Sequence, residues 1–151
     1  MASDIVLRSE TVLDAPPEQI WEILSDLAGW DTWNPTLFAV RPGSSLEPGR
    51  EIRMKLRLGP VVMPMRQQVR VVDPPRELRW RSKQLVPAPL LDVLRSFRLE
   101  PLEGSRTRLV QTEAMSGFLA KPTARLVGKL IVKGYDDLGR ALAARVGERE
   151  G

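Results

Sequence analysis

From residue 36 to residue 115 apolar and polar side chains alternate, and from Lys121 to about Val146 the apolar spacing becomes that of a helix. The alternating stretch is broken at Pro42-Gly43, Pro48-Gly49, Gly59-Pro60, Asp73-Pro74-Pro75, Pro87-Ala88-Pro89 and Glu103-Gly104. Such punctuation predicts six strands joined by short turns, an antiparallel meander. Ile52, Met54, Leu56 and Leu58 share one face, and Arg53, Lys55 and Arg57 the other. Likewise Met63, Met65, Val69 and Val71 oppose Arg66, Gln68 and Arg70, and Leu78 and Trp80 oppose Arg79 and Arg81. A sheet patterned this way has one buried face and one wet face. The helical stretch puts Val127, Leu130, Ile131, Leu138, Leu142 and Val146 on one side, with Pro122 in a first turn that tolerates it. At ~1.5 Å per residue it is roughly 35 Å long, enough to cross a whole sheet.

Ahead of the meander, residues 4 to 13 alternate as a first strand, with Ile5, Leu7, Thr11 and Leu13 inward and Arg8 and Glu10 outward. Asp14 is placed to cap a helix opened by Pro16 and Pro17, whose apolar side is Ile20, Trp21, Ile23 and Leu24. Trp30-Asp31-Thr32-Trp33 reads as a second short helix stopped at Asn34-Pro35. The order is strand, two short helices, six strands and one long helix: an α+β fold in one domain over residues 1 to 147. Residues 148 to 151 are expected to fray.

The chain is 151 residues long, a length that suits one domain. It has no Cys and no His, which excludes disulfides, thiolate and Ser–His nucleophiles and imidazole acid/base catalysis. Carboxylate, arginine, tyrosine and pocket chemistry remain; no metal and no cofactor is expected. No apolar run approaches the ~20 residues of a membrane span, and the first residues do not read as a secretory leader, so the expected location is the cytoplasm. The net charge of +4 is unevenly placed. Residues 50 to 110 carry 14 basic and 6 acidic side chains, the remainder 9 and 13.

The words along this order match a known family. Ala15-Pro16-Pro17-Glu18-Gln19-Ile20-Trp21-Glu22-Ile23-Leu24, Trp30-Asp31-Thr32-Trp33-Asn34-Pro35, Pro74-Pro75-Arg76-Glu77-Leu78-Arg79-Trp80, Thr107-Arg108-Leu109-Val110-Gln111-Thr112-Glu113 and Ser116-Gly117 carry the resemblance. Together they resemble the SRPBCC or START-like superfamily of helix-grip proteins, most of all its polyketide cyclase/dehydrase and lipid-transport branch, over almost the whole chain. The resemblance implies a curved seven-stranded antiparallel sheet gripping the long C-terminal helix, with a cavity between them for a lipophilic ligand. It does not transfer catalytic residues, and fold alone does not fix function.

The inward face is expected to carry Ile52, Met54, Leu56, Met63, Met65, Gln67, Val69, Leu78, Trp80, Phe97, Leu99, Leu109 and Met115, faced by Leu130, Ile131, Gly134 and Tyr135 on the helix. Without the resemblance these read as a filled core; with it they read as the wall of a ligand cavity. If the turn at Glu103-Gly104 pairs Leu99 with Leu109, then Phe97 faces Gln111 and Arg95 faces Glu113. An inward Arg95 and Glu113 must satisfy each other or hold a polar ligand group, because an unpaired buried charge costs several kcal/mol. The first reading is a cross-strand ion pair. The second makes Glu113 an acceptor or general base and Arg95 a stabiliser of an enolate or carboxylate, the two candidate catalytic residues. Gln67, Ser82, Gln84, Gln111 and Tyr135 are weaker candidates for orienting a ligand. Trp21, Trp30 and Trp33 read as packing.

Two basic surfaces remain: the wet side of the sheet, and Lys121, Arg125, Lys129 and Lys133 at every fourth residue of the helix. Both read as solvated arginine-rich surface or as a face for an anionic partner. Of such partners an anionic membrane is favoured over nucleic acid, since no stacking aromatics interleave with the cations. The leading functional expectation is a binder or carrier of a small lipophilic molecule. The alternatives are a polyketide cyclase/aromatase-like enzyme and a protein-interaction module like the chaperone-activating relatives.

Overall fold

The computed structural model describes residues 4–83, 86–87 and 89–150. Seven strands form one antiparallel sheet: β1 (Ile5–Leu13), β2 (Leu37–Phe38), β3 (Glu51–Leu58), β4 (Val61–Asp73), β5 (Glu77–Lys83), β6 (Asp92–Leu102) and β7 (Arg106–Ser116). Their order across the sheet is β1-β7-β6-β5-β4-β3-β2, so β2 to β7 are the expected meander and β1 returns to pair with its last strand. Between β1 and β2 run α1 (Pro17–Ser25) and a 3-10 helix (Leu27–Thr32); α2 (Ala120–Glu150) closes the chain.

α2 packs on β1, β7 and β3. β1 is one edge of the sheet and β3 is next to the other, so a helix that touches both requires the sheet to curl around it. The helix has 31 residues and spans about 46 Å at 1.5 Å per residue. It runs to Glu150. Two contacts seat it on β1. The Ser9 hydroxyl donates to Asp136 Oδ1 at 2.5 Å. Gly139 lies so close to Thr11 that an added Cβ would sit 2.1 Å from Thr11 Oγ1, so only a residue without a side chain fits that crossing.

Two local expectations are corrected. Asp14 does not cap α1: Pro16 is the N-cap, in extended conformation, and the helix begins at Pro17 with no side-chain cap bond. Proline fixes the φ of the first turn without losing a useful N–H there, which leaves the cap little to add. Val71 is not inward. The β4–β5 register shifts between Val69 and Val71, so that Val71 pairs with Arg79 and Val72 with Leu78. One extra residue in a strand reverses the phase of all that follow, and Val72 takes the core position.

The interior divides into two apolar clusters. The larger contains Leu13, Ile20, Leu24, Trp30, Trp80, Phe97, Leu109, Leu138, Leu142 and Val146. Trp80 and Phe97 meet edge to face at 5.2 Å, and the Trp30 ring lies tilted at 6.0 Å from Trp80, with its indole N–H donated to the Leu24 carbonyl at 3.1 Å. The smaller cluster holds Leu91, Val93, Met115 and Ala120. Asn34 ties the 3-10 helix to β2: its Oδ1 accepts from the backbone N–H groups of Thr36 at 3.1 Å and Leu37 at 2.9 Å.

Candidate functional site

Between these clusters lies a cavity of about 140 Å³, walled by β3, β4, β5, β6, β7 and the N-terminal half of α2. Twelve of the residues expected to form its wall or to orient a ligand line it: Leu56, Met63, Met65, Gln67, Ser82, Arg95, Glu113, Met115, Leu130, Ile131, Gly134 and Tyr135. Met54, Leu78, Trp80, Phe97, Leu99 and Leu109 do not. They lie in the larger cluster, where Trp30 and the apolar sides of α1 and α2 fill the space in front of them. The strand alternation is the same at both ends of the sheet; what differs is whether a helix plugs that end. The inward face is therefore filled core in one half and the wall of a cavity in the other.

Thr36, Leu37, Arg57, Leu58, Leu91, Val93, Thr123 and Val127 complete the lining. Of these, Leu91 and Val93 continue the inward phase of Arg95, Phe97 and Leu99, and that signal was sufficient to place them. Arg57 carried no such signal, because it sits on the outward phase of β3; its guanidinium lies 5.3 Å from the Phe38 ring centre. Gln84 lies outside the described residues.

The polar part of the wall is assembled by register. Leu99 pairs with Leu109, Phe97 with Gln111 and Arg95 with Glu113, as the turn at Glu103-Gly104 predicted. Arg95 and Glu113 nevertheless form no ion pair. Arg95 Nη2 donates to Gln111 Oε1 at 2.7 Å, and its guanidinium lies 4.0 Å from the Tyr135 ring centre and 4.5 Å from that of Phe97. Its Nε is buried without a hydrogen-bond partner. Among the described residues no carboxylate comes within ion-pair distance of this arginine, which is 3% exposed. Aromatic faces and one amide oxygen thus hold a nearly buried cation.

Glu113 is held from the helix instead: the Tyr135 hydroxyl donates to Glu113 Oε1 at 2.7 Å. Burial raises the Glu113 carboxyl above its usual pKa, against the Tyr135 bond and the Arg95 charge, which pull it down. Glu113 keeps partial exposure because it borders the cavity. Burial also pushes the Tyr135 phenol well above its usual range, so it stays a donor at neutral pH. Gln111 is fully buried behind the wall; its Nε2 donates to the Tyr135 backbone carbonyl at 2.9 Å, making it a strut between β7 and α2 rather than a lining residue. Across the cavity the Ser82 hydroxyl donates to Gln67 Oε1 at 2.6 Å. Gly134 leaves room beside Thr36, whose Cγ2 would lie 3.4 Å from an added Cβ.

This arrangement offers an apolar chamber with a cation and a carboxyl of raised pKa on one wall and a hydroxyl–amide pair on another. Residues 4–147 match the family model for polyketide cyclase/dehydrase and lipid transport proteins. The chain belongs to that family. Solved structures of similar fold include the Zhui aromatase/cyclase from Streptomyces sp. R1128, with a TM-score of 0.78 and 15% identity over 97% of this chain and 96% of that one. A START superfamily protein from Mycobacterium smegmatis has a TM-score of 0.75 and 20% identity, over 95% and 97% of the two chains. A Thermus thermophilus protein aligns over 97% of this chain and all 100% of its own, with a TM-score of 0.76 and 20% identity. No curated protein matches the sequence. At these identities the neighbours show the fold, which is the helix-grip fold of the SRPBCC and START-like proteins. Among the described residues no helix is long and apolar enough to cross a membrane.

Proposed function

We propose that this member of the cyclase/dehydrase and lipid-transport family binds a small lipophilic molecule in the cavity between sheet and α2. The observation that carries the reading is the cavity itself, mostly apolar, with Arg95 incompletely satisfied on its wall. The apolar body of the ligand lies against Leu56, Met63, Met65, Leu130 and Ile131. Its polar end meets Arg95, Glu113 and Tyr135, with Gln67 and Ser82 orienting it from the opposite side. A hydrogen-bond acceptor on the ligand gives the Arg95 charge the counterpart that no carboxylate among the described residues supplies.

At about 140 Å³ the cavity takes a group about the size of one aromatic ring without rearrangement, smaller than most ligand pockets. Met63 and Met65 are the adaptable part of the wall, because unbranched thioethers repack at little cost. A larger ligand enters by displacing them. Native mass spectrometry of freshly purified protein, compared with the denatured mass, tests the proposal. A reproducible excess mass that disappears on denaturation supports it. No excess mass, together with no uptake from a panel of fatty acids, isoprenoids and aromatic polyketides, rejects it.

A second reading, a polyketide cyclase-like enzyme, draws on the raised pKa of Glu113, a shift in the direction that general acid/base catalysis by a carboxyl needs. In it Glu113 moves the proton and Arg95 stabilises enolate charge. Glu113→Gln then abolishes turnover of a polyketide substrate while leaving its binding intact. Equal losses of both assign Glu113 to binding alone.

A further inference from the structure

We infer that the mouth of the cavity docks on an anionic lipid bilayer, through exposed apolar side chains at the start of α2 and the unpaired cations that follow them along the helix. Phe118 is 82% exposed and Leu126 is 83% exposed. Single exposed apolar residues need no explanation, but Phe118 adjoins exposed Leu119, and Leu126 lies one helical turn before exposed Leu130. The Leu119 N–H donates to the Leu90 carbonyl at 2.7 Å and the Phe118 N–H to that of Pro89 at 3.3 Å, which seats them against the β5–β6 connection and its exposed Leu90. On the other side Gly59 lies within van der Waals reach of Leu130, bringing the β3–β4 turn, with exposed Val61 and Val62, beside the helix. The same segments supply Leu58, Leu91, Thr123 and Leu130 to the cavity wall.

Both basic surfaces are partly neutralised, and only the helical one borders the apolar rim. On the convex side of the sheet Glu51 pairs with Lys83, Arg53 and Arg66, Glu77 with Arg79, and Glu100 with Arg98 and Arg108, while Lys55, Arg57 and Arg70 have no acidic partner among the described residues; on α2 Lys133 pairs with Asp137. Along α2, exposed Lys121, Arg125 and Lys129 have no acidic partner among the described residues. A layer of anionic headgroups supplies that missing charge while its acyl boundary accepts Phe118 and Leu126. A nucleic acid matches the cations and leaves the apolar rim wet. A second copy docking symmetrically on this rim would bring like charges together. The inference rests on surface residues and stands whatever the cavity holds.

Cosedimentation with phosphatidylcholine vesicles, with and without phosphatidylglycerol, tests it. The protein is expected to bind the anionic vesicles and to release as salt rises from about 0.1 M to about 0.5 M. Replacing Phe118 and Leu126 together by Ser, or Lys121 and Lys129 together by Glu, is expected to lower partitioning about tenfold or more, and Arg53→Glu with Arg79→Glu to change it by no more than about twofold. The inference is overturned by absence of binding to anionic vesicles, or by a rim variant that binds as the unmodified protein does. It is equally overturned if the Ser variant proves to be a monomer derived from a dimeric parent that ignores vesicles, which would give the rim to a second copy.

Discussion

The Tyr135 hydroxyl donates to Glu113 Oε1 at 2.7 Å, joining α2 to β7 at the cavity wall and leaving Arg95, directly across the ladder from Glu113, to bond with Gln111 instead. The carboxyl therefore has a neutral donor in contact and its nearest cation at one remove, so desolvation outweighs both stabilising influences and its pKa rises.

A pH dependence of stability follows. Below the carboxyl range of the unfolded chain, about 4.3, Glu113 is protonated in both states and contributes nothing. As pH climbs towards the higher folded value, the unfolded chain releases its proton first, so unfolding becomes easier and stability falls. Above the folded value the loss is complete and constant. Glu113→Gln keeps an acceptor for Tyr135 and removes this decline, so its stability relative to the parent is expected to improve between pH 4 and pH 8 in denaturant titrations. A difference that stays constant across that range contradicts the raised pKa.

Gln111 is the residue on which the polar wall depends without lining the cavity. Gln111→Leu keeps the approximate volume but deprives buried Arg95 of its amide partner and the Tyr135 carbonyl of its donor. Loss of a bond to a charged, buried group costs about 2–3 kcal/mol. Unfolding midpoints are expected to fall accordingly, and a drop below about 0.5 kcal/mol would mean Arg95 finds another acceptor.

The sheet was legible in the sequence because alternation, turn residues and the Glu103-Gly104 hairpin fix the register, and register alone brings Arg95, Phe97, Gln111 and Glu113 to one face. What alternation does not encode is depth along the grip. Leu99 and Leu56 share the inward phase, yet Leu99 is sealed by the larger cluster and Leu56 borders the cavity. That distinction depends on where Trp30, Leu138 and Leu142 end, a tertiary fact with no local signal. Nor does alternation survive a bulge, as Val71 shows. The partner of Glu113 came from the helix, where Tyr135 read only as a weaker candidate for orienting a ligand, and the tight helix–strand approach at Gly139 carried no sequence signal that distinguished it from Gly134.

These two glycines are expected to respond oppositely to alanine. At Gly139 the new methyl would collide with the short Thr11 side chain, overpacking that costs about 1–3 kcal/mol. At Gly134 the methyl meets only Thr36 Cγ2 at 3.4 Å, and a helical Gly→Ala change gains up to about 1 kcal/mol. Thermal unfolding of both variants tests this. Thr11→Ala should recover much of the Gly139→Ala loss, since it removes Oγ1 and Cγ2 from the crossing, and failure to recover would place the strain elsewhere.

The half-filled interior predicts a contrast between two tryptophans introduced on one sheet face. Leu56→Trp projects its indole into the cavity, so it is expected to leave stability within about 1 kcal/mol of the parent, because filling a void offsets the strain of a larger side chain. It should also suppress uptake of a fluorescent hydrophobic dye. Leu99→Trp has no void to enter, being 2% exposed within the larger cluster, and is expected to lose about 1–3 kcal/mol while retaining dye uptake in whatever fraction stays folded. Chemical denaturation and dye titration on the same two preparations separate the outcomes. If Leu56→Trp took up dye normally, the ligand would lie somewhere other than against β3. If Leu99→Trp alone abolished uptake while remaining folded, the cavity would extend into the half of the sheet that the aromatic cluster now fills.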